Sequence, residues 1–421
     1  MSTLELRDVV WREDLYPRFA PDPTTIQRYA ESIEHLPPIE VNQHNELIDG
    51  YHRWVAHQKA GAQKIAATVT ETQSDAHLQE LGIEKNAKHG LQLRRDEKRS
   101  IARKLYAAKQ VTDKKRLQDL LGVGKSALSA WLQDLDRAER EERDRRIHAM
   151  WLACRTQDAI AEAVGLSQQQ TAEKLKVLPK FPNLEKPVKL RALYEEEDWK
   201  PPHFDIWSFA AKTNETSHFG NTEQRIVDYL LFLYTEPFEV VYDPFGGGGS
   251  TIDLCKLRSR RYWVADRLPL PERPDVRQAD IADGPPRLPW SETALVYLDP
   301  PYWKQAEGEY STDPQDLANM ELEDFYAALV RFVRACASKM RDGSRIALII
   351  QPTMWRAPDR KYTDHVFDLI GRIGNKRVQY EQRVSCPYST EQYNAQMVNW
   401  AKEYKRLLVR NRELIIWRVA K

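Results

Sequence analysis

The chain has 421 residues, 42% of them apolar, a formal net charge of only +1 and a mean hydropathy of −0.65. That length and apolar content support two or three domains with real cores, and the lack of a long apolar run excludes a membrane-spanning helix. The opening Met1-Ser2-Thr3-Leu4-Glu5 has no secretory-signal pattern, and four cysteines at positions 154, 255, 336 and 386 have no paired metal spacing, which argues against zinc and fits a reducing cytoplasm.

The first stretch, residues 1–110, reads as an α+β domain. Tyr16-Pro17-Arg18 precedes a helix over 26–33, and Pro38-Ile39-Glu40-Val41 reads as a strand. Leu47-Ile48-Asp49 then runs into Gly50-Tyr51-His52-Arg53 and a helix, and Asn86-Ala87-Lys88-His89-Gly90 leads to a basic helix from Asp96. A strand, a glycine and a basic helix start can form a phosphate site: Gly50 allows the turn, the helix N-terminus offers free N–H groups, and His52 and Arg53 add charge. Equally, His52 and Arg53 can be surface or ion-pair residues of a structural domain. These segments resemble the ParB-like N-terminal domain of chromosome partition proteins and many phage-type proteins. The resemblance raises a nucleotide as a partner. The partition proteins that hydrolyse CTP usually carry Gly-Glu-Arg-Arg where this chain has Gly50-Tyr51-His52-Arg53, so loss of the Glu counts against hydrolysis. Tyr51 also stands where the related sulfiredoxins need a Cys, which excludes peroxiredoxin repair.

Residues 111–178 read as helical, with two helix-turn-helix candidates. In 116–132 an apolar helix, a turn at Gly122 and a second helix from Lys125 follow one another, and 156–175 repeats the pattern around Gly165. Gln168, Gln169 and Gln170 open the second recognition helix, and glutamine can read adenine edges. Each candidate can also be a plain helical hairpin, and the mixed-charge run 137–146 between them reads as a solvated helix. Two such pieces are compatible with a homodimer. The Pro-bearing stretch 179–203 reads as a linker.

Residues 204–421 carry the chemistry. Glu239-Val240-Val241-Tyr242 is strand-like and runs into Asp243-Pro244-Phe245, four glycines and Ser250-Thr251-Ile252, a helix start continued by Leu254, Cys255 and Leu257. A strand, a glycine turn and a helix make the crevice in which α/β sheets hold nucleotide-like ligands. No Gly-Lys-Ser/Thr is present, which argues against a phosphate-binding loop. A second strand over 261–265 ends in Asp266, about 20 residues after the glycines, where an acid accepts ribose hydroxyls. Asp280 follows in Arg277-Gln278-Ala279-Asp280-Ile281 and by itself reads as an ordinary surface acid. Ala294-Leu295-Val296-Tyr297-Leu298 ends in Asp299-Pro300-Pro301-Tyr302, with the prolines stiffening the turn. Trp303 extends the aromatic wall or packs in the core. A helix over 322–340, a buried strand over 345–350 and a last strand over 413–419 complete the sheet.

Together Phe245, Gly247 and Gly249 of the first motif and the Asp299 turn resemble the amino-methyltransferases of DNA. Phe204-Asp205-Ile206-Trp207-Ser208-Phe209, His218-Phe219-Gly220-Asn221 and a helix over 226–234 resemble their motif X. The resemblance implies a Rossmann-like domain with S-adenosylmethionine as cofactor and Asp243, Phe245, Gly247, Gly249, Asp266 and Asp280 around it. It further implies that Asp299 and the Pro300 carbonyl accept the amino hydrogens of a flipped-out base, that Pro301 stiffens the turn and that Tyr302 stacks on the base. The leading Asp favours adenine N6; cytosine N4 enzymes usually carry Ser there. The motif order is that of another permutation than the glycine motif suggests. The implied partner is double-stranded DNA, in the cytoplasm of a bacterial or phage-infected cell. With so little net charge, such a protein must gather its positive surface locally; 88–104, 114–116 and 405–412 are the candidate clusters.

Overall fold

The computed structural model describes residues 2–18, 21–88, 93–177, 194, 199–209, 223–354, 361–388 and 393–421. The chain divides into two compact units, Met1–Glu142 and Arg143–Lys421. The division falls inside one long helix, so the helical region expected as one block is shared between the units. The expected linker, and His218-Phe219-Gly220-Asn221 of the motif X resemblance, lie mostly or wholly outside the described residues.

In the first unit, β1 (Ser2–Glu5), α1 (Pro23–Ala30), β2 (Ile39–Val41), β3 (Leu47–Asp49), α2 (Tyr51–Lys59) and β4 (Lys64–Val69) precede α3 (Asp75–Lys88) and α4 (Arg95–Ala107). The sheet order is β1-β4-β2-β3, with β2 and β4 parallel and the outer pairs antiparallel. Asp22 caps α1 by accepting the Thr25 N–H, and Pro23 at its first position suits a helix start. α5 (Lys114–Leu121) ends on left-handed Gly122, and α6 (Lys125–Leu152) follows. Leu117, Leu121, Leu128, Trp131 and Leu132 bury the facing sides of this pair with α3 and α4. The expected second helix of that hairpin therefore exists, but it runs for 28 residues rather than ending as a short reading helix.

In the second unit, α7 (Gln157–Val164) ends on left-handed Gly165 and α8 (Gln168–Val177) packs against it around Ile147 and Ile160. α9 (Gln224–Tyr234), β5 (Val240–Asp243), α10 (Ser250–Leu257), β6 (Arg261–Asp266), β7 (Arg277–Gln278), β8 (Thr293–Leu298), α11 (Leu322–Lys339) and β9 (Arg345–Ile350) alternate strand and helix. After them come β10 (Thr353–Met354), β11 (Tyr362–Thr363), α12 (His365–Ile373), β12 (Val378–Pro387), α13 (Ala395–Glu403) and β13 (Asn411–Val419). The seven-stranded sheet has the order β12-β13-β9-β8-β5-β6-β7. Its strands from β9 to β7 pair in parallel, and β13 is antiparallel to both neighbours. Both faces are covered, which is why β5 and β8 are apolar without alternation. One face packs on α11 and α12 through Phe325, Leu329, Phe332 and Leu369, the other on α9 and α10 through Ile226, Leu230, Ile252 and Cys255. This is a Rossmann-like layered α/β fold. The chain runs outward from β5 through β6 and β7, then returns to β8 on the other side, so a crevice opens between β5 and β8 at their C-terminal ends.

Candidate active site

Three parallel strands deliver the acids. Asp243 closes β5, Asp266 closes β6 and Asp299 follows β8, so all three reach the same edge of the sheet. They line one cavity of about 370 Å³ together with Phe245, Gly247, Asp280 and Pro301. Gly249, Pro300 and Tyr302, expected with them, do not line it. Six acidic side chains on its wall (Asp243, Asp266, Asp280, Asp299, Glu309, Asp316) face two arginines, Arg267 and Arg331. Such a wall favours a ligand with positive centres and disfavours phosphates.

The glycine turn is held by its own geometry. Gly246 N–H donates to the Ala265 carbonyl at 2.7 Å, which ties the turn to β6. A Cβ on Gly246 would sit 2.4 Å from Val264 Cγ1, so no side chain fits there. Gly249 has φ +78°, and a Cβ would meet the Arg273 guanidinium at 2.4 Å. Arg273 donates to the carbonyls of Gly248 (2.7 Å) and Gly249 (3.1 Å) and pairs with Asp253 and Asp275. Gly249 thus serves the brace of the loop rather than the cavity wall.

Asp243 is buried and accepts the Thr251 hydroxyl at 2.6 Å and the Phe245 N–H at 2.9 Å. Burial nevertheless pushes its carboxyl up to about 7, and Asp299 and Asp266 nearby add to the effect. Asp266 accepts the N–H groups of Gly247 and Leu268, both at 2.9 Å, one on each carboxylate oxygen. Each oxygen keeps a lone-pair direction for a ligand hydroxyl. Asp280 accepts the Ala282 N–H at 2.9 Å and pairs with Arg267 at 3.0 Å.

At the Asp299 turn, the hydroxyls of Tyr297 and Tyr302 point at the two oxygens of Asp299, each at a long 3.4 Å. Burial, and then the Asp299 charge, holds both phenols well above their ordinary range, so they remain donors. The Tyr302 ring packs against the hydrophobic core, and Trp303 does the same while donating to the Met320 carbonyl at 2.9 Å. Behind the turn, Thr353 donates to the Trp303 carbonyl at 2.9 Å and contacts His365 at 2.7 Å. His365 is buried, and desolvation lowers it to about 4, so its imidazole is neutral.

Several wall residues carried no local signal in the sequence. Arg267 binds Asp280, Asp313 and Asp316, tying the β6 end to the 304–320 segment that follows the Asp299 turn. Tyr310 from that segment lines the cavity, and burial raises its phenol. Only the fold brings these to β5.

In the first unit, the His52 Nε2 accepts the Asp22 N–H at 2.8 Å, and burial lowers its pKa. Arg53 bonds Asp49 at 2.7 Å and the carbonyls of Pro38 (2.8 Å) and Pro37 (3.2 Å). Both side chains are engaged within the domain. Lys125 is exposed at the start of α6. Gln168 is bonded to Asp158 at 2.8 Å, Gln170 and Ser167 cap α8 reciprocally, and Gln169 is exposed. The described residues hold no cluster suited to a metal and no helix long and apolar enough to cross a membrane.

Among solved structures, TrmN from Thermus thermophilus aligns at 15% identity over 48% of this chain and 50% of its own, with a TM-score of 0.29. The N-methyltransferase NodS from Bradyrhizobium japonicum, in complex with S-adenosyl-L-homocysteine, aligns at 12% identity over 56% of this chain and 98% of its own, with a TM-score of 0.31. The C-terminally truncated partitioning protein ParB from Caulobacter crescentus, complexed to the centromeric parS site, aligns at 17% identity over 45% of this chain and 95% of its own, with a TM-score of 0.26. No match was found among curated proteins. Residues 6–86 match the family model of the ParB N-terminal domain, in agreement with the α+β fold of the first unit.

Proposed function

We propose that this chain is an S-adenosylmethionine-dependent DNA methyltransferase that acts on the exocyclic N6 of adenine. The observation that carries the proposal is the single cavity in which Asp243, Gly247 and Asp266 stand beside Asp299 of the Asp-Pro-Pro-Tyr turn. Its acidic wall suits the cofactor's sulfonium and ammonium groups. The open oxygen directions of Asp266 suit ribose hydroxyls, and Asp280 is available to the adenine. Gly248 leaves clear space where a Cβ would stand, so a ligand can approach its backbone closely. When bound, the cofactor supplies an electrophilic methyl group.

The chain's own residues do the rest. An exocyclic amine is a poor nucleophile because its lone pair is delocalised into the ring. Asp299 and the Pro300 carbonyl would accept hydrogen bonds from its two N–H groups and draw the nitrogen toward tetrahedral geometry, freeing the lone pair for in-line attack; the N–C bond would form as the methyl's bond to sulfur breaks, and the nitrogen's surplus proton would pass to Asp299 or to water. Tyr297 and Tyr302 direct their hydroxyls at the two oxygens of Asp299 and orient its carboxylate toward the base. The base must first leave the duplex, and the ParB-like unit and the α7–α8 hairpin are the natural grips on the DNA around it.

The test is transfer of labelled methyl from S-adenosylmethionine to unmethylated DNA, with nucleoside analysis. N6-methyladenosine is expected. N4-methylcytosine would keep the mechanism and overturn the base; no label in DNA, RNA or protein would refute the activity.

A further inference from the structure

We propose that the exposed surface formed by the end of α13 and the turn after it, residues 400–410, is where the DNA backbone rests beside the catalytic turn. The proposal deepens the methyltransferase reading and rests on it.

The segment is tied toward the Asp299 turn at its C-terminal end. Tyr388, just after β12, donates its N–H to the Arg410 carbonyl at 3.1 Å and its hydroxyl to Gln351 at 2.8 Å. The Arg412 guanidinium lies 4.3 Å over the Tyr388 ring, and its charge also reaches Tyr302. The Val409 N–H meets Met354 Sδ at 3.3 Å, one residue from Thr353, which holds the Trp303 carbonyl.

Charge is concentrated here. Residues 393–410 carry Lys402, Lys405, Arg406 and Arg410 against Glu403, four minus one, or +3, where the whole chain carries +1. Lys402, Lys405 and Arg410 are exposed and make no ion pair among the described residues. In the other basic clusters Arg103 is tied to Asp134, Lys114 to Asp136 and Arg116 to Glu80, while Arg95, Arg99 and Lys115 are exposed and make no ion pair among the described residues. Side chains already paired must give up a partner before they can meet a phosphate; Lys402, Lys405 and Arg410 need not.

Lys405 also has φ 52°, the left-handed position that closes α13, where the Arg406 N–H returns to the Ala401 carbonyl at 2.8 Å. Glycine is the usual residue there. A lysine at this position keeps its charge at a conformational cost that glycine would avoid, as Lys109 does after α4. Trp400 and Tyr404 stack at 5.4 Å with Tyr404 exposed, and Leu407 is 88% exposed. Flat rings and an apolar tip among unpaired cations match a duplex, whose phosphates flank base steps that such tips enter.

The experiment uses the full chain and a triple variant, K402Q/K405Q/R410Q, on unmethylated duplex DNA over a range of salt concentrations. The log–log salt slope of binding should fall by about 2 to 3, at roughly 0.9 per lost phosphate contact, and KM for DNA should rise about tenfold or more. The kcat at saturating DNA, affinity for S-adenosylmethionine and melting temperature should not change. Lys376→Gln, an exposed lysine elsewhere, should match the wild type. Should the triple variant melt early, the three single variants carry the test, each expected to lower the slope by about 0.9. Wild-type slope and KM in the variants, while DNA is still methylated, would overturn this surface and leave the methyltransferase reading standing. Failure of the wild type to methylate DNA would overturn both, and a slope that falls on RNA but not on DNA would overturn the DNA surface.

Discussion

Gly246 and Gly248 are two residues apart and should fail in different ways when changed to alanine. At Gly246 a methyl would sit 2.4 Å from Val264 Cγ1 and 3.1 Å from the Ala265 carbonyl, in the tie between the turn and β6. Overpacking of this kind costs about 1–3 kcal/mol. For a unit of this size, each kcal/mol lowers Tm by about 2–4 °C, so G246A should melt roughly 2–12 °C early. At Gly248 a methyl meets nothing within 4 Å and faces the cavity. G248A should therefore melt with the wild type and bind S-adenosylmethionine about tenfold more weakly, a loss of about 1.4 kcal/mol. Thermal denaturation and calorimetric titration of the two variants separate the effects. Undiminished cofactor affinity in G248A, or an unchanged Tm in G246A, would refute the assignment of one glycine to the fold and the other to the ligand.

Asp299→Ala should abolish methyl transfer while leaving S-adenosylmethionine binding intact; retained activity would sink the catalytic assignment. Arg258 and Asp228 form a buried pair at 2.7 Å, so R258M, which strands the carboxylate, should cost about 3–5 kcal/mol in denaturant unfolding. R258M/D228L should recover much of that loss. The raised pKa of Asp243 has a definite sign. The unfolded carboxyl ionises above about pH 4 while the folded one keeps its proton until about 7, so stability falls as pH rises across that window and levels off above it. D243N should flatten the Tm–pH curve between those limits; an unchanged slope would count against the buried proton.

The amino-acid order by itself determined the local events. The apolar runs at 239–242, 261–265, 294–298 and 345–350 became β5, β6, β8 and β9, because strands buried on both faces need continuous apolar residues. The glycines and the Asp-Pro-Pro-Tyr turn were legible because each is a short-range backbone requirement. The extent of α6 was not: its mixed-charge middle reads as any solvated helix, and only packing at both ends makes it one 28-residue element. Tertiary structure alone decided that Asp243, Asp266 and Asp299, scattered over 57 positions of chain (299 − 243 + 1), share one cavity. It also turned the Tyr302 hydroxyl to Asp299, set Arg273 behind the glycines, brought Arg267 and Tyr310 to the wall and left Lys402, Lys405 and Arg410 with no carboxylate partner among the described residues. The physical reason is that sequence patterns report which face of an element avoids water. Which polar side chains meet across elements depends on strand order, and strand order is fixed only when the whole sheet is assembled.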